Sequence, residues 1–254
     1  MTATRTAPLD PDLFGPGQAR DDRFEVKDRW HEMVNYPEGT PEHRREFLHR
    51  QMNEEMNVME QAAQSLVDFP DEPWEVRKAL AGQCADEARH TLAYLRLMKQ
   101  RGISVGEYPV LNFQFRVLQK IDTLVGRLAI VNRSFEADGL DAAVFGSHEA
   151  AVEGDQDFAS LLDTQAADEI THVGLGLWWI RSEVKRDPRT LLRIASAMTH
   201  LTRAVEEVFP ESGDVAYGLA HEERLLAGFE PAEVEQASAL LKERKARSRA
   251  RLDR

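Results

Sequence analysis

Two five-residue units repeat in this chain: Asp86-Glu87-Ala88-Arg89-His90 and Asp168-Glu169-Ile170-Thr171-His172. Each sets a glutamate three residues before a histidine and one residue after an aspartate. On an α-helix, positions three apart lie about 60° around the axis and about 4.5 Å along it. A carboxylate and an imidazole then project from one face, within reach of one metal ion. Taken singly, such a unit is an ordinary pair of solvated helix charges. Two of them, each ringed by apolar residues, call for a joint explanation.

A metal-binding reading requires a further carboxylate on the helix before each unit, about one helix length upstream. Glu55 precedes Glu87 by 32 residues and Glu136 precedes Glu169 by 33. One pattern therefore occurs twice: a helix with a glutamate, a turn, then a helix with Glu-x-x-His. Packed face to face, the two copies bring Glu55, Glu87, His90, Glu136, Glu169 and His172 to a common point, the ligand set of dinuclear carboxylate bundles. Glu54 is an alternative to Glu55, because neighbouring Met52, Met56 and Met59 do not separate the two. Asp86 and Asp168 are placed to accept the second imidazole N–H, each from the histidine of the other unit, which would orient that ligand.

Oxygen and imidazole donors without thiolate suit iron(II), or manganese(II), rather than a structural zinc. Two divalent ions would balance four buried carboxylates that otherwise must protonate or repel one another. Residues one turn from these ligands are expected to line a substrate pocket: Met52, Met59, Gln83, Tyr94, Asn132, Arg133 and Gln165. Arg133 would suit a substrate carboxylate. Cys84, one turn before Glu87, reads as a small apolar filler. Trp178-Trp179, nearly two turns past His172, reads as a core or subunit-contact feature and leaves room for a homodimer.

The rest of the sequence sets the frame. The 254 residues suffice for one sizeable core or a bundle with extra helices. No apolar run is long enough for a membrane span, and no secretory signal is read at the N-terminus. A single cysteine excludes an intrachain disulfide, and a cytoplasmic location is expected. The net charge of −12 argues against nucleic acid as a partner. The basic run from Lys242 to Arg254 reads as a solvated helix end, with a docking tail for an acidic partner as the alternative.

Breakers place the helices. Residues 1–20, rich in Pro, Gly and Asp, read as a poorly ordered arm. Long helices are expected at about 40–69, opened by Thr40-Pro41, and 73–101, stopped at Gly102. A third is expected at about 112–138, ended by Gly139, followed by a Gly-broken segment to Gly154. The fourth runs over about 155–185. Shorter helices should follow at 189–208, 214–227 and 231–250. With almost no alternating β-branched run, the fold class is all-α. The domains expected are an N-terminal arm and short helix over 1–39, a dinuclear-metal four-helix bundle over 40–186, and accessory helices with a basic tail over 187–254.

From about His49 to Trp179 the pattern resembles the ferritin-like superfamily, and more narrowly an uncharacterised ferritin-like family of unknown function. The resemblance rests on Glu55 through Phe69-Pro70-Asp71, the two acid–Glu-x-x-His units, Phe135-Glu136-Ala137-Asp138-Gly139-Leu140-Asp141-Ala142, Gly154-Asp155, Val173, Gly176 and Trp178. It implies a ferritin-like four-helix bundle, here with additional N- and C-terminal helices, and a dinuclear site. Tyr94, four residues after His90, resembles in its offset the radical tyrosine of class I ribonucleotide reductase small subunits. The chemistry of the uncharacterised family is poorly defined; the function expected from the site is an O2-activating iron oxidase or oxygenase. It would use two iron ions (manganese being the alternative) and O2 as co-substrate to hydroxylate, N-oxygenate or desaturate a small organic molecule. Electrons would come from an external reductase or from the substrate. Iron or peroxide handling of the ferritin and rubrerythrin kind, or a metal-stapled non-catalytic module, are the alternatives.

Overall fold

The computed structural model describes residues 7–209 and 218–252. Its main elements are α1 (Pro41–Asp68), α2 (Trp74–Gln100), α3 (Phe113–Leu118), α4 (Leu124–Ile130), α5 (Glu136–Val152), α6 (Gln156–Arg186), α7 (Thr190–Val208), α8 (His221–Leu226) and α9 (Pro231–Leu252). Among the described residues the only strands are β1 (Val26–Lys27) and β2 (Val110–Leu111), which pair in parallel. The fold is all-α. No helix among the described residues is long and apolar enough to cross a membrane.

The chain divides into two compact units. One holds Met1–Asp71, Leu80–Leu124 and Ser196–Pro210; the other holds Glu72–Ala79, Val125–Ala195 and Glu211–Arg254.

In the first unit, α1 starts where Thr40 accepts a hydrogen bond from the His43 amide at 3.2 Å and Pro41 supplies a preset first turn. It ends just before Phe69-Pro70. Its buried face mixes Leu48 and Met52 with Asn53 and Asn57. Both amides donate to the Leu111 carbonyl, at 3.0 and 3.2 Å, tying α1 to β2.

From residue 7 onward the N-terminal segment corrects the reading of a poorly ordered arm; residues 1–6 lie outside the described region. Leu9, Leu13 and Phe14 are buried. The Gly15 amide donates to the Arg116 carbonyl at 2.9 Å, and the Arg116 guanidinium returns a bond to the Gly15 carbonyl at 3.0 Å. His200 donates to the Leu13 carbonyl at 2.8 Å, and Arg29 pairs with Glu207 at 2.8 Å. Three apolar anchors among Pro, Gly and Asp are enough to dock the segment.

In the second unit, Asp155 caps α6 by accepting from the Phe158 amide at 3.2 Å, after a turn in which Gly154 takes φ +83°. Helix α5 packs along α6 through Ala137, Leu140 and Ala143 against Leu162, Ala166 and Val173.

The expected third helix is also corrected. It breaks at Gln119–Thr123, where no Gly or Pro stands, and Ile121 turns inward there. It resumes as α4, passes through one π-helical turn (Val131–Phe135), and continues as α5 straight through Gly139 and Gly146. A glycine inside a helix costs about 1 kcal/mol, less than burying the apolar face on either side of it returns. Helix α8 is shorter than expected: it starts at His221, and residues 214–217 lie outside the described region. The side chains of the basic run beyond Glu243 lie outside it as well.

Candidate metal centre

Glu87 and His90 stand one turn apart on α2, and Glu169 and His172 one turn apart on α6. The spacing has the effect anticipated for it. His90 Nδ1 lies 3.1 Å from Glu87 Oε2, and His172 Nδ1 lies 3.1 Å from Glu169 Oε2. Glu55, from α1, brings its Oε2 to 3.1 Å from the same His90 nitrogen. In both rings the carboxylate-facing atom is Nδ1, so Nε2 is directed elsewhere. Gln165, one turn before Glu169, donates to Glu169 Oε1 at 3.4 Å.

Burial is the decisive property. Glu55, Glu87, His90, Glu136, Glu169 and His172 are each 5% exposed or less. A lone ionised carboxylate in such a place is costly. The chain nevertheless places two groups there: Glu55, Glu87, His90 and Glu169, and Glu87, Glu136, Glu169 and His172. Within each group one ligand atom per residue lies within 4.8 Å of all the others. The two groups share Glu87 and Glu169 and differ in one glutamate and one histidine each. These six are the residues that the repeat singled out. Cys84 belongs to neither group.

The electrostatics follow. Burial alone would push the His90 imidazole down, but hydrogen bonds to and negative charge on Glu55 and Glu87 outweigh it and hold the pKa up to about 11. Burial, followed by the Glu87 charge, pushes the Cys84 thiol up, which leaves it a neutral filler. Glu54 takes no part in either group. It faces Gln114, Arg50 and Glu46, and burial raises its pKa.

The other expected residues are placed as follows. Met52, Gln83, Tyr94, Asn132 and Gln165 are buried, and Met59 is half-buried. Asp86 is half-buried and accepts from Arg89 at 2.8 Å; Asp168 is also half-buried. Asn132, in the π-helical turn, donates to the His172 carbonyl at 2.9 Å. Arg133 faces away to Glu233, at 3.1 Å, and stacks its guanidinium over Phe229, so it does not offer the free cation expected for a substrate carboxylate. Trp179 is buried and Trp178 is half-exposed. A surface groove of about 420 Å³ lined by Trp178, Arg181, Ser182 and Lys185 contains none of the expected ligands.

Sequence reasoning missed the π-helical turn. A π turn, which occurs often at functional sites, carries no residue signature; Gly176 packs against it. A Cβ there would stand 2.5 Å from the Asn132 Cβ, so only glycine lets α6 approach this closely.

The family model described as "Protein of unknown function (DUF455)" matches residues 10–235. The chain belongs to this family. The DUF455 match reaches well past the helices that carry the six candidate ligands, taking in the buried Leu13 and Phe14 at one end and the segment from Arg224 to Glu233 at the other. No curated protein and no solved structure matches the chain.

Proposed function

We propose that the buried cluster is a dinuclear metal centre, that the metal is iron, and that the protein is an oxidase or oxygenase acting with O2 on a small organic substrate. The observation that carries the reading is the overlap of the two ligand groups at Glu87 and Glu169. Two separate groups would suggest two independent ions, whereas shared carboxylates suit a bridged pair. In this reading Glu55 and His90 would hold one ion and Glu136 and His172 the other, with Glu87 and Glu169 available to both. Helices α1, α2, α5 and α6, which carry the candidate ligands, would then form a ferritin-like bundle.

The donor chemistry fits that occupant. Four carboxylates and two neutral imidazoles carry a charge of about −4, which two divalent cations cancel. Hard oxygen with borderline nitrogen donors favours iron or manganese over a thiolate-bound structural zinc. Without metal, hydrogen bonds to and negative charge on Glu55 and Glu87 raise the His90 pKa, and bound cations would relieve the same concentration of negative charge. Two bound iron(II) ions would supply electrons to O2 for oxidation of a nearby C–H or N–H group.

The protein's own contribution is positioning and dryness. Gln165 orients Glu169 through Oε1, and Asn132 fixes the backbone of His172. The deep burial of all six candidate ligands keeps bulk water from the centre. Tyr94, Gln83 and Met52, all fully buried, are the side chains best placed by sequence to border substrate.

The test is O2 consumption. Protein loaded anaerobically with iron(II) and exposed to O2 is expected to consume it, and a Glu136→Ala variant to consume much less. Iron-loaded protein that leaves O2 untouched would favour a metal-stapled module instead. A cage-sized assembly that accumulates many irons per chain would favour storage.

A further inference from the structure

The segment from Ala220 to Val234 grips the chain on both sides of Glu136. Before it, Arg133 reaches Glu233 at 3.1 Å, and Arg181 of α6 holds the second Glu233 oxygen at 3.2 Å. After it, Arg224 binds Asp141 with two bonds, Nε to Oδ1 at 2.9 Å and a terminal nitrogen to Oδ2 at 2.7 Å. The same terminal nitrogen donates to the Ala137 carbonyl at 3.1 Å, and the Ala220 amide donates to Asp141 at 2.9 Å. Phe229, buried, lies between the two cations, with the Arg133 and Arg224 guanidinium carbons 5.6 and 5.4 Å from its ring centre.

This is more than a docked tail. Arg224 and its partner Asp141 are both buried, and a fork-on-fork bond between them fixes orientation as well as distance. The gripped stretch begins at Arg133, inside the π-helical turn (Val131–Phe135), whose extra residue per turn must be held against relaxation to an α-helix. A change of one residue in that turn would rotate Glu136 away from Glu169 and His172. The contacts of the segment fall on Arg133, Ala137 and Asp141, and Glu136 lies between them. The DUF455 match ends at residue 235, just past these contacts.

We propose that the segment 220–234 is a clamp on the π-helical turn, with Arg224, Phe229 and Glu233 as positioning residues for Glu136. Releasing the clamp empties the metal position served by Glu136 and His172 and spares the one served by Glu55 and His90. The proposal rests on the dinuclear reading given above.

The experiment measures iron per chain and the magnetic resonance signature of iron-loaded wild type, Arg224→Met, Arg224→Lys, Phe229→Leu and Glu233→Gln, each checked for native helicity by circular dichroism. Wild type is expected to hold two irons with the signature of a coupled pair. The folded variants are expected to fall to about one iron with the signature of an isolated ion, and Arg224→Lys is expected to retain more of the pair than Arg224→Met. Glu233→Gln changes a partly exposed side chain and keeps the test open if a buried substitution fails to fold. Folded variants that keep two coupled irons, or that lose both together, overturn the clamp alone. A wild type that binds no iron overturns the dinuclear reading with it.

Discussion

The Asn132 side chain donates a hydrogen bond to the main-chain carbonyl of His172 at 2.9 Å, which ties the π-helical turn to the turn of α6 that carries the second Glu-x-x-His unit. The bond forms because the two helices approach at Gly176, where a Cβ would stand 2.5 Å from the Asn132 Cβ.

Gly176→Ala is therefore expected to destabilise the protein by about 1–3 kcal/mol through overpacking. Gly139→Ala, on the facing helix with nothing within 4 Å of where the added methyl group would stand, should stabilise by roughly 0.5–1 kcal/mol through helix propensity. Urea denaturation of the two variants checks the pair. Equal shifts of one sign would mean that the close approach at Gly176 does not exist.

The N-terminal segment supplies a second prediction. Phe14 is buried, with the Arg116 guanidinium over its ring at 5.7 Å. Phe14→Ala should cost about 3 kcal/mol, as removal of a buried aromatic does. A loose arm would lose nothing measurable, and a thermal melt of the variant decides between the two.

His49 gives a pH dependence. Its Nε2 accepts from the Gly106 amide at 2.8 Å, Nδ1 has no hydrogen-bond partner among the described residues, and the rings of Phe24 and Tyr108 close around it. Burial lowers its pKa to about 4, against a smaller opposing effect of Glu107. An unfolded histidine binds a proton below about pH 6.5. Between that pH and about 4 the unfolded chain is protonated at this site while the folded one is not, so stability falls as pH drops through the window and is level above it. The loss should reach about 2 kcal/mol by pH 4.5. Urea midpoints of wild type and His49→Gln, compared at pH 7.5 and 4.5, should converge at the lower pH; parallel behaviour would contradict the assignment.

The grouping of the six candidate ligands was legible because helical period is a local property. Glu87 with His90, and Glu169 with His172, needed only three-residue spacing. The upstream partners needed only two helices of similar length joined by a tight turn. The choice of Glu55 over Glu54 was not legible, since adjacent positions on an amphipathic helix differ by which way it is rotated, and packing decides that. Gly139 and Gly146 misled for a related reason: their small intrinsic cost is outweighed by Leu140 and Ala143 buried between them. The anchoring of Leu13, and the clasp of Arg224 on Asp141, depend on partners about 80 residues or more away, which no local pattern reveals.

The central claim is that one pair of ions is held by two overlapping ligand groups. Iron-edge anomalous scattering from crystals of the iron-loaded protein tests it most directly. Two peaks are expected, one beside Glu55 and His90 and one beside Glu136 and His172, about 3.5–4 Å apart with Glu87 and Glu169 between them. A single peak, or none among these six side chains, would contradict the account.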